Sequence, residues 1–241
     1  MKKYRMLFIS DIRHTGLDPV LMVGIFAPLA LLVVSRFGFP MIADWLTNGY
    51  AFDLYKYRSF AAIFLVMTFP MLTGMMTGLL MLDERDENVI SYYAVTPLMR
   101  RGYMVYRLVL PSLLCTFLSS LFFIVSGLSS FQLEHIYILI LLAFEAPCFA
   151  LFLASFAANK VEGLALSKIG GLFIAGPIVA YFVPSPWQFI GAWIPTYWPA
   201  KLFFVIEASS GFIVLAYFMV GLLFHLSLLS IMVRIFIKRA D

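Results

Sequence analysis

Long apolar stretches alternate with short polar ones along nearly the whole chain. A helix that crosses the hydrocarbon core of a bilayer needs about 20 apolar residues. Six stretches approach or exceed that length: residues 19–35, 60–82, 108–128, 136–158, 164–183 and 212–233. The first is the shortest, and its Gly24 and Pro28 make its ends the hardest to place. The pattern predicts an all-α integral membrane protein with six transmembrane helices in one domain, residues 1–241.

Composition excludes a soluble protein. Of the 241 residues, 63% are hydrophobic and only 12% are charged, whereas soluble domains carry about 25% charged residues. Cys115 and Cys148 both lie inside apolar stretches, which is typical of small buried residues rather than of a disulfide or a metal ligand. The net charge of +4 fits basic anchors at an inner membrane face and does not indicate nucleic-acid binding.

Lysine and arginine are unevenly distributed between the two sides of the predicted membrane. Cytoplasmic loops of membrane proteins carry an excess of these residues. If both termini are cytoplasmic, only Arg36, Lys56, Arg58 and Lys201 lie outside, and the other 13 of the 17 lie inside. We therefore predict cytoplasmic termini. Arg107 and Arg234, near inner ends of spans, are expected to extend their side chains to the interface.

Two further segments are apolar but are not predicted to span. Residues 1–18 mix apolar and basic side chains, which favours an N-terminal helix lying along the inner interface. Residues 184–211 contain four prolines and three tryptophans. Prolines rule out one continuous helix, and tryptophan favours the membrane boundary. We predict short helices dipping into the outer leaflet, or a re-entrant hairpin, in this outer segment.

Motifs for catalysis or phosphate binding are absent from the sequence. It contains no G-x-x-x-x-G-K-[ST], H-E-x-x-H, G-x-S-x-G or C-x-x-C pattern, so no catalytic residue, metal site or cofactor is predicted for this chain. Glu145 and His225 lie within spans, where ionisable groups are costly. Each either faces a pathway or subunit interface or is hydrogen-bonded inside the bundle. Two alternative functions remain open: a proton-coupled secondary transporter using Glu145, and a membrane-embedded enzyme using Glu145 and His225.

Small residues recur on one side of the second span. Gly74 and Gly78 have the small-xxx-small spacing that allows helices to pack closely, with Thr73 and Thr77 beside them. We predict a close-packed helix face here, with the two threonines as pathway or interface candidates.

The loop after the second span, residues 83–101, concentrates charges that are scarce elsewhere. It reads DERDENVISYYAVTPLMRR. Asn88 is suited to end the preceding helix, since asparagine tolerates the left-handed conformation. Thr96 followed by Pro97 is a start signal for the next helix. The short helix between them presents aromatic side chains after an acidic approach, which favours docking to a soluble partner.

This loop resembles the corresponding loop in permease subunits of type-2 ABC exporters. Glu84-Arg85-Asp86 is similar to the family's acidic start and Val95-Thr96-Pro97-Leu98 to its V-T-P-L. Arg100, Tyr103 and Arg107 match the basic entry into the family's third span, and IPTYWPAKLF, residues 194–203, is similar to a P-x-Y segment before the last span. Asn88, Val89 and Ser91 depart from the usual residues. The six spans agree as well, and drug-export permeases for fluoroquinolones or small peptides resemble the chain most.

The resemblance implies a non-catalytic permease in a bacterial cytoplasmic membrane, working with two ABC ATPase subunits that bind ATP and Mg. A second permease subunit, identical or homologous, would complete the pathway, with spans two and five at the interface. Amphipathic or hydrophobic substrates are implied, such as a drug, antibiotic, peptide or lipid-like molecule. Residues 184–204 would form an outer gate with Trp193, Pro195 and Tyr197 as candidates. The coupling helix would dock on the ATPase through Glu84, Glu87, Val89, Ile90, Tyr92, Tyr93, Val95, Thr96 and Pro97.

Overall fold

The computed structural model describes residues 11, 16, 18–89, 99–183, 186–209 and 211–240, and every regular element in these ranges is helical. Six helical stretches are long and apolar enough to cross a membrane, which confirms the predicted number and fold class. They are span one (Pro19–Tyr50), span two (Leu54–Asp86), span three (Gly102–Val125), span four (His135–Phe156), span five (Lys160–Phe182) and span six (Phe212–Arg239).

Three spans are assembled from shorter helices. Span one joins helix Pro19–Val33 to helix Phe39–Tyr50 through a π-helical turn, Val34–Gly38. Span two joins a 3-10 turn, Leu54–Tyr57, to helices Arg58–Val66 and Thr68–Asp86. Span five joins helices Lys160–Ser167 and Ala175–Phe182 through a 3-10 stretch, Ile169–Ile174. Helices Met99–Val125, His135–Phe156 and Phe212–Ala240 carry the other spans. Breaks precede Pro40, Pro70 and Pro177, whereas Pro28, Pro111 and Pro147 lie inside continuous helices.

Span one is longer than the hydropathy pattern predicts. It continues past residue 35 to Tyr50, a total of 32 residues. At 1.5 Å per residue such a helix is about 48 Å long, against a hydrocarbon core of about 30 Å. The helix is therefore about 18 Å longer than the core is thick. The predicted span ends before Arg36 because a charge normally marks the end of a span, whereas here the helix passes through it.

Spans two and four form the centre of the bundle. About two-thirds of each is buried, against one-third or less for the others. The close-packed face predicted on span two is confirmed, and its partner is span four: a Cβ atom added to Gly74 would lie 2.5 Å from the Ala146 carbonyl oxygen, and one added to Gly78 2.9 Å from the Ala150 oxygen. Only glycine permits this separation between the two backbones.

The predicted outer segment contains two short helices rather than one continuous one. A 3-10 helix, Trp187–Trp193, precedes an outer helix, Tyr197–Ala208, and the Trp198 indole donates to the Ala192 carbonyl at 2.9 Å to join them. Pro195 lies between the two helices and cannot donate a backbone hydrogen bond that would join them into one. The short-helix form of the prediction is thus confirmed, and its depth in the bilayer stays a prediction.

The charges separate into two groups at opposite ends of the bundle. At the outer end Arg58 donates to the Leu128 carbonyl at 2.6 Å, and Ser59 donates to Glu207 at 2.8 Å. Lys201 donates to the Gln188 amide oxygen at 2.7 Å, and burial lowers the pKa of this lysine. This grouping agrees with the predicted outer set of basic residues, and the assignment of that end to the cell exterior stays a prediction.

Candidate functional site

The acidic and basic run at the end of span two binds the other spans of the bundle. Asp83, Glu84, Arg85 and Asp86 are consecutive, so their side chains leave the helix in different directions, about 100° apart. Glu84 therefore contacts span three and Arg85 the end of span four, while Asp83 and Asp86, three residues apart, both contact Lys160. Together with Asp11, Asp18, Arg107 and Lys160, these residues are called the inner polar cluster.

Arg107 is the most deeply buried member of this cluster. It lies in the second turn of span three with its side chain only 1% exposed. Two of its nitrogens donate to the carboxylate of Asp11 at 2.8 and 2.9 Å, its Nε donates to Glu84 at 3.0 Å, and Nη2 also donates to Glu84. The prediction that Arg107 extends to the interface is wrong, because two carboxylates inside the protein satisfy its charge.

Two tyrosines complete the surroundings of Arg107. Tyr103 donates its hydroxyl to Glu84 at 2.7 Å, and Tyr106 donates to Asp11 at 2.7 Å. The guanidinium carbon lies 5.7 and 5.4 Å from the centroids of the two rings, within the range for cation–π attraction. Hydrogen bonds and ring faces thus stabilise a buried charge that would otherwise be costly.

Lys160 links the beginnings of spans one and five to the end of span two. Its ammonium group lies 2.6 Å from Asp18 and 2.5 Å from Asp83. The hydrogen bond from Lys160 lowers the pKa of Asp18, which also caps span one by accepting from the Val20 amide at 2.8 Å. These contacts fix the inner ends of three spans against each other.

Basic side chains bind the inner end of span four. Arg85 donates to the carbonyls of Ala154 and Ala157 at 3.1 and 2.6 Å, and Arg239 of span six donates to Ser155. The last carbonyls of a helix have no partners within the helix and carry partial negative charge, so arginine is suited to this end. Every span is therefore connected to the inner polar cluster or to the end of span four beside it.

The predicted coupling segment begins directly after this cluster. Helix Thr68–Asp86 ends there, and Asn88 adopts the left-handed conformation with φ of 57°, as predicted. Glu87 is exposed, whereas Glu84 turns inward to Arg107. Most of the predicted docking residues lie outside the described residues: Ile90, Tyr92, Tyr93, Val95, Thr96 and Pro97. Val89 is described and partly buried, and docking through all of these residues stays a prediction.

A cavity of about 150 Å³ lies beside the middle and the second half of span four, where residues from Glu145 to Phe152 line it. Spans two, four, five and six and the outer segment all contribute to its walls. The lining residues are Met71, Glu145, Cys148, Phe149, Phe152, Phe173, Trp193, Pro195, Leu228 and Met232. The structure thus brings together three residues that the sequence pointed to separately: Glu145 from span four, and Trp193 and Pro195 from the predicted outer gate.

The other intramembrane candidates have different surroundings. Thr73 and Thr77 are fully buried and donate to carbonyls of their own helix at 2.8 and 3.1 Å. Tyr197 is buried in the hydrophobic core and is not among the residues that line the cavity. His225 is fully buried, and its Nδ1 lies 2.7 Å from the Gly221 carbonyl. Because a carbonyl only accepts, Nδ1 carries the proton. Pathway and gate roles for these residues stay predictions.

Sequence reasoning misses the pairing partners of the inner polar cluster. The charge pattern assigns Asp11, Asp18 and Lys160 to the inner face without partners, and Arg107 to the interface. One signal is present, since Arg107 lies close to the start of a span, where an isolated charge is costly and requires a partner. The identity of that partner depends on contacts between residues 23 and 96 positions apart, which sequence spacing does not indicate.

Comparison with known proteins identifies the family. The model of fluoroquinolones export permease proteins of the Rv2686c-like type matches residues 11–233. Two curated relatives are each 28% identical over 94% of this chain and 91% of their own length: fluoroquinolones export permease protein Rv2686c of Mycobacterium tuberculosis strain H37Rv, and MT2760 of strain CDC 1551. No solved structure matches significantly. Six spanning helices and a match over nearly the whole length agree, and the chain belongs to the Rv2686c-like family of export permeases.

Proposed function

We propose that this chain is the membrane-spanning subunit of an ATP-driven exporter, coupled to separate ATPase subunits through residues 83–101. In this proposal the chain forms the pathway for an amphipathic or hydrophobic substrate and does not itself hydrolyse ATP. Membership of an export permease family supports the transport role. The relatives' names make a fluoroquinolone the first substrate to test.

The observation that carries the coupling is the position of the inner polar cluster. Two of its members, Glu84 and Arg107, lie on either side of residues 89–98 in the sequence. A force applied to residues 89–98 reaches two helices that a buried ion pair holds together. Lys160 and Arg85 extend the connection to spans one, five and four. Movement of a docked ATPase would therefore displace the spans together rather than deform a loop.

Partner subunits would supply the chemistry that this chain lacks. Because the sequence contains no phosphate-binding loop, ATP and Mg are proposed to bind to two ABC ATPase subunits. A second permease subunit, identical or homologous, would complete the pathway. The proposed location is the bacterial cytoplasmic membrane, with both termini on the ATPase side.

Co-purification followed by vesicle transport tests this proposal. The tagged chain is expressed with the ATPase whose gene lies nearest to its own, and inside-out vesicles are assayed for ATP-dependent uptake of a fluoroquinolone. We expect co-purification and uptake, and we expect no uptake when the lysine of the ATPase phosphate-binding loop is replaced. Absence of a co-purifying ATPase, or uptake that is equal with the inactive ATPase, would contradict the proposal.

Proton-coupled transport through Glu145 is the second candidate. It rests on the Oε2 atom of Glu145, which is buried and has no hydrogen-bond partner among the described residues. Under this candidate, a proton gradient without ATP drives uptake, and Glu145→Gln abolishes uptake while leaving the ATPase activity of a partner normal. Dependence of uptake on ATP alone would exclude it.

A further inference from the structure

The cavity beside span four combines one acidic side chain with several aromatic ones. Among its ten described lining residues, Glu145 alone is ionisable as an acid or base at ordinary pH, and the others are apolar, aromatic or a thiol. Glu145 is 5% exposed. A carboxyl group at membrane depth is costly unless it is paired or faces a cavity. Its Oε2 atom has no hydrogen-bond partner in the described part of the protein, and the residue lines the cavity.

Aromatic rings form the walls around this carboxyl group. Phe149 and Phe152 of span four each meet Phe173 of span five edge to face, with centroids 5.9 and 6.2 Å apart. Trp193 forms part of the rim and is 84% exposed. The faces of aromatic rings carry negative potential and attract cations. The aromatic rings and the carboxyl group thus both favour a cationic ligand.

The outer segment fixes the rim of the cavity. Thr196, next to the lining residue Pro195, donates its hydroxyl to the carbonyl of Phe173, and this bond holds the outer segment against span five. The volume of about 150 Å³ is close to that of engineered cavities that hold one benzene molecule. The cavity therefore has room for one aromatic ring, rather than for a complete drug molecule.

We propose that this cavity is a binding subsite for the cationic, aromatic end of an amphipathic substrate, with Glu145 as the counter-ion and Phe149, Phe152 and Phe173 as the ring-binding walls. As a statement about substrates, this rests on the proposed export function, and it narrows the expected class from amphipathic molecules in general to amphipathic monocations. Trp193 and Pro195 lie where such a ligand would enter or leave at the outer segment.

A pair of isosteric probes tests the charge preference. Phenyltrimethylammonium carries a permanent positive charge, and tert-butylbenzene has the same shape without it. Binding of the labelled cation to the full chain in lipid nanodiscs is measured by equilibrium dialysis, with empty nanodiscs subtracted and tert-butylbenzene as a competitor. We expect saturable binding of the cation, weakened about tenfold or more by Glu145→Gln. The inhibition constant of tert-butylbenzene should be unaltered by this substitution.

Two further variants separate this result from general damage. Glu207→Gln removes a carboxylate at the outer end that bonds to Ser59 and lies outside the cavity, so cation affinity should remain as in the unmodified chain. Phe173→Leu keeps apolar bulk and removes a ring face, so it should weaken binding of the cation more than that of tert-butylbenzene. If Glu145→Gln fails to fold, the binding result for Phe173→Leu tests the proposal in its place.

Three results would overturn the proposal: no cation binding above empty nanodiscs, cation affinity unchanged by Glu145→Gln in a folded protein, or equal weakening by Glu207→Gln. The assay contains no nucleotide and no ATPase. Failure of ATP-driven export would therefore contradict the proposed function and leave the binding result intact. Export that is normal in a chain that binds no cation would contradict only the subsite.

Discussion

Replacement of Arg107 by methionine tests the energetic role of the inner polar cluster. Methionine retains much of the apolar length of arginine and removes the guanidinium group. Asp11 and Glu84 then remain as carboxylates without their cation, in a position where Arg107 is only 1% exposed. The change thus separates loss of charge pairing from loss of packing volume.

The expected loss of stability is derived from the contacts in the structure. Arg107 makes four hydrogen bonds to two carboxylates, and breaking a buried ion pair of this kind costs about 3–5 kcal/mol, because the remaining charge is buried without compensation. For a chain of this size, such a loss lowers the unfolding temperature by about 10 °C. Exposed Arg234 of span six provides the matched control, and Arg234→Met should change the temperature very little.

The two native cysteines supply the assay. Cys115 and Cys148 are both free and buried, so a thiol-reactive fluorophore reports the temperature at which the helices separate. The measurement is made on the purified chain in detergent or nanodiscs. It requires no substrate and no ATPase, and its result is therefore independent of the transport mechanism.

A triple variant, Arg107→Met with Asp11→Asn and Glu84→Gln, distinguishes charge from packing. It removes all three charges and retains acceptors for the hydroxyls of Tyr103 and Tyr106. If uncompensated charge causes the loss, the triple variant should recover most of it, because neutral replacements of buried ion clusters are often as stable as the original. A triple variant as unstable as Arg107→Met, or a single variant as stable as the unmodified chain, would refute this reasoning.

Three further predictions concern packing, pH and docking. Gly74→Ala should destabilise the chain by about 1–3 kcal/mol, since its Cβ would meet a backbone carbonyl at 2.5 Å. Gly49 has open space around it, so Gly49→Ala should be neutral or stabilising in the same thiol assay. Because the pKa of Asp18 is lowered in the folded state, its pairing with Lys160 should stabilise the chain at neutral pH. This stabilisation should be lost as acidification protonates Asp18. Asp18→Asn should therefore lower the free energy of unfolding by about 1 kcal/mol or less at pH 7 and leave it unchanged at low pH. Tyr92→Ala with Tyr93→Ala should weaken co-purification of the ATPase without lowering the unfolding temperature, and unaltered co-purification would exclude docking through these rings.

The spans could be predicted from the sequence because a single physical requirement, burial in hydrocarbon, determines their composition. Their ends were less predictable. Span five begins at Lys160 rather than at residue 164, because Asn159 caps the helix by accepting from the Glu162 amide at 2.9 Å and Lys160 is paired with two aspartates. Polar residues that usually mark the exit from a membrane belong to the helix here, since partners from other spans satisfy them.

The candidate sites differ in how far the sequence revealed them. Glu145 stands out because an acidic residue within an apolar stretch is rare and costly, and the four prolines of residues 184–211 predict the division into short helices. That Trp193 and Pro195 meet Glu145 could not be predicted, because this depends on the way span five and the outer segment fold back over span four. Long-range packing, rather than local pattern, creates the cavity.

Under the proposed function, the positions of the two sites along span four give a route by which movement of an ATPase reaches a substrate. Arg85 binds the inner end of this span, while Glu145 faces the cavity about three turns earlier in the helix. Gly74 and Gly78 place spans two and four so close together that these helices must move as one body. The opposite cavity wall is formed by Phe173 and Trp193, which belong to less buried elements. A displacement of the inner polar cluster would therefore move Glu145 and the other span-four residues relative to Phe173. A bound cation would lose its contact with Phe173 and keep its contacts with span four.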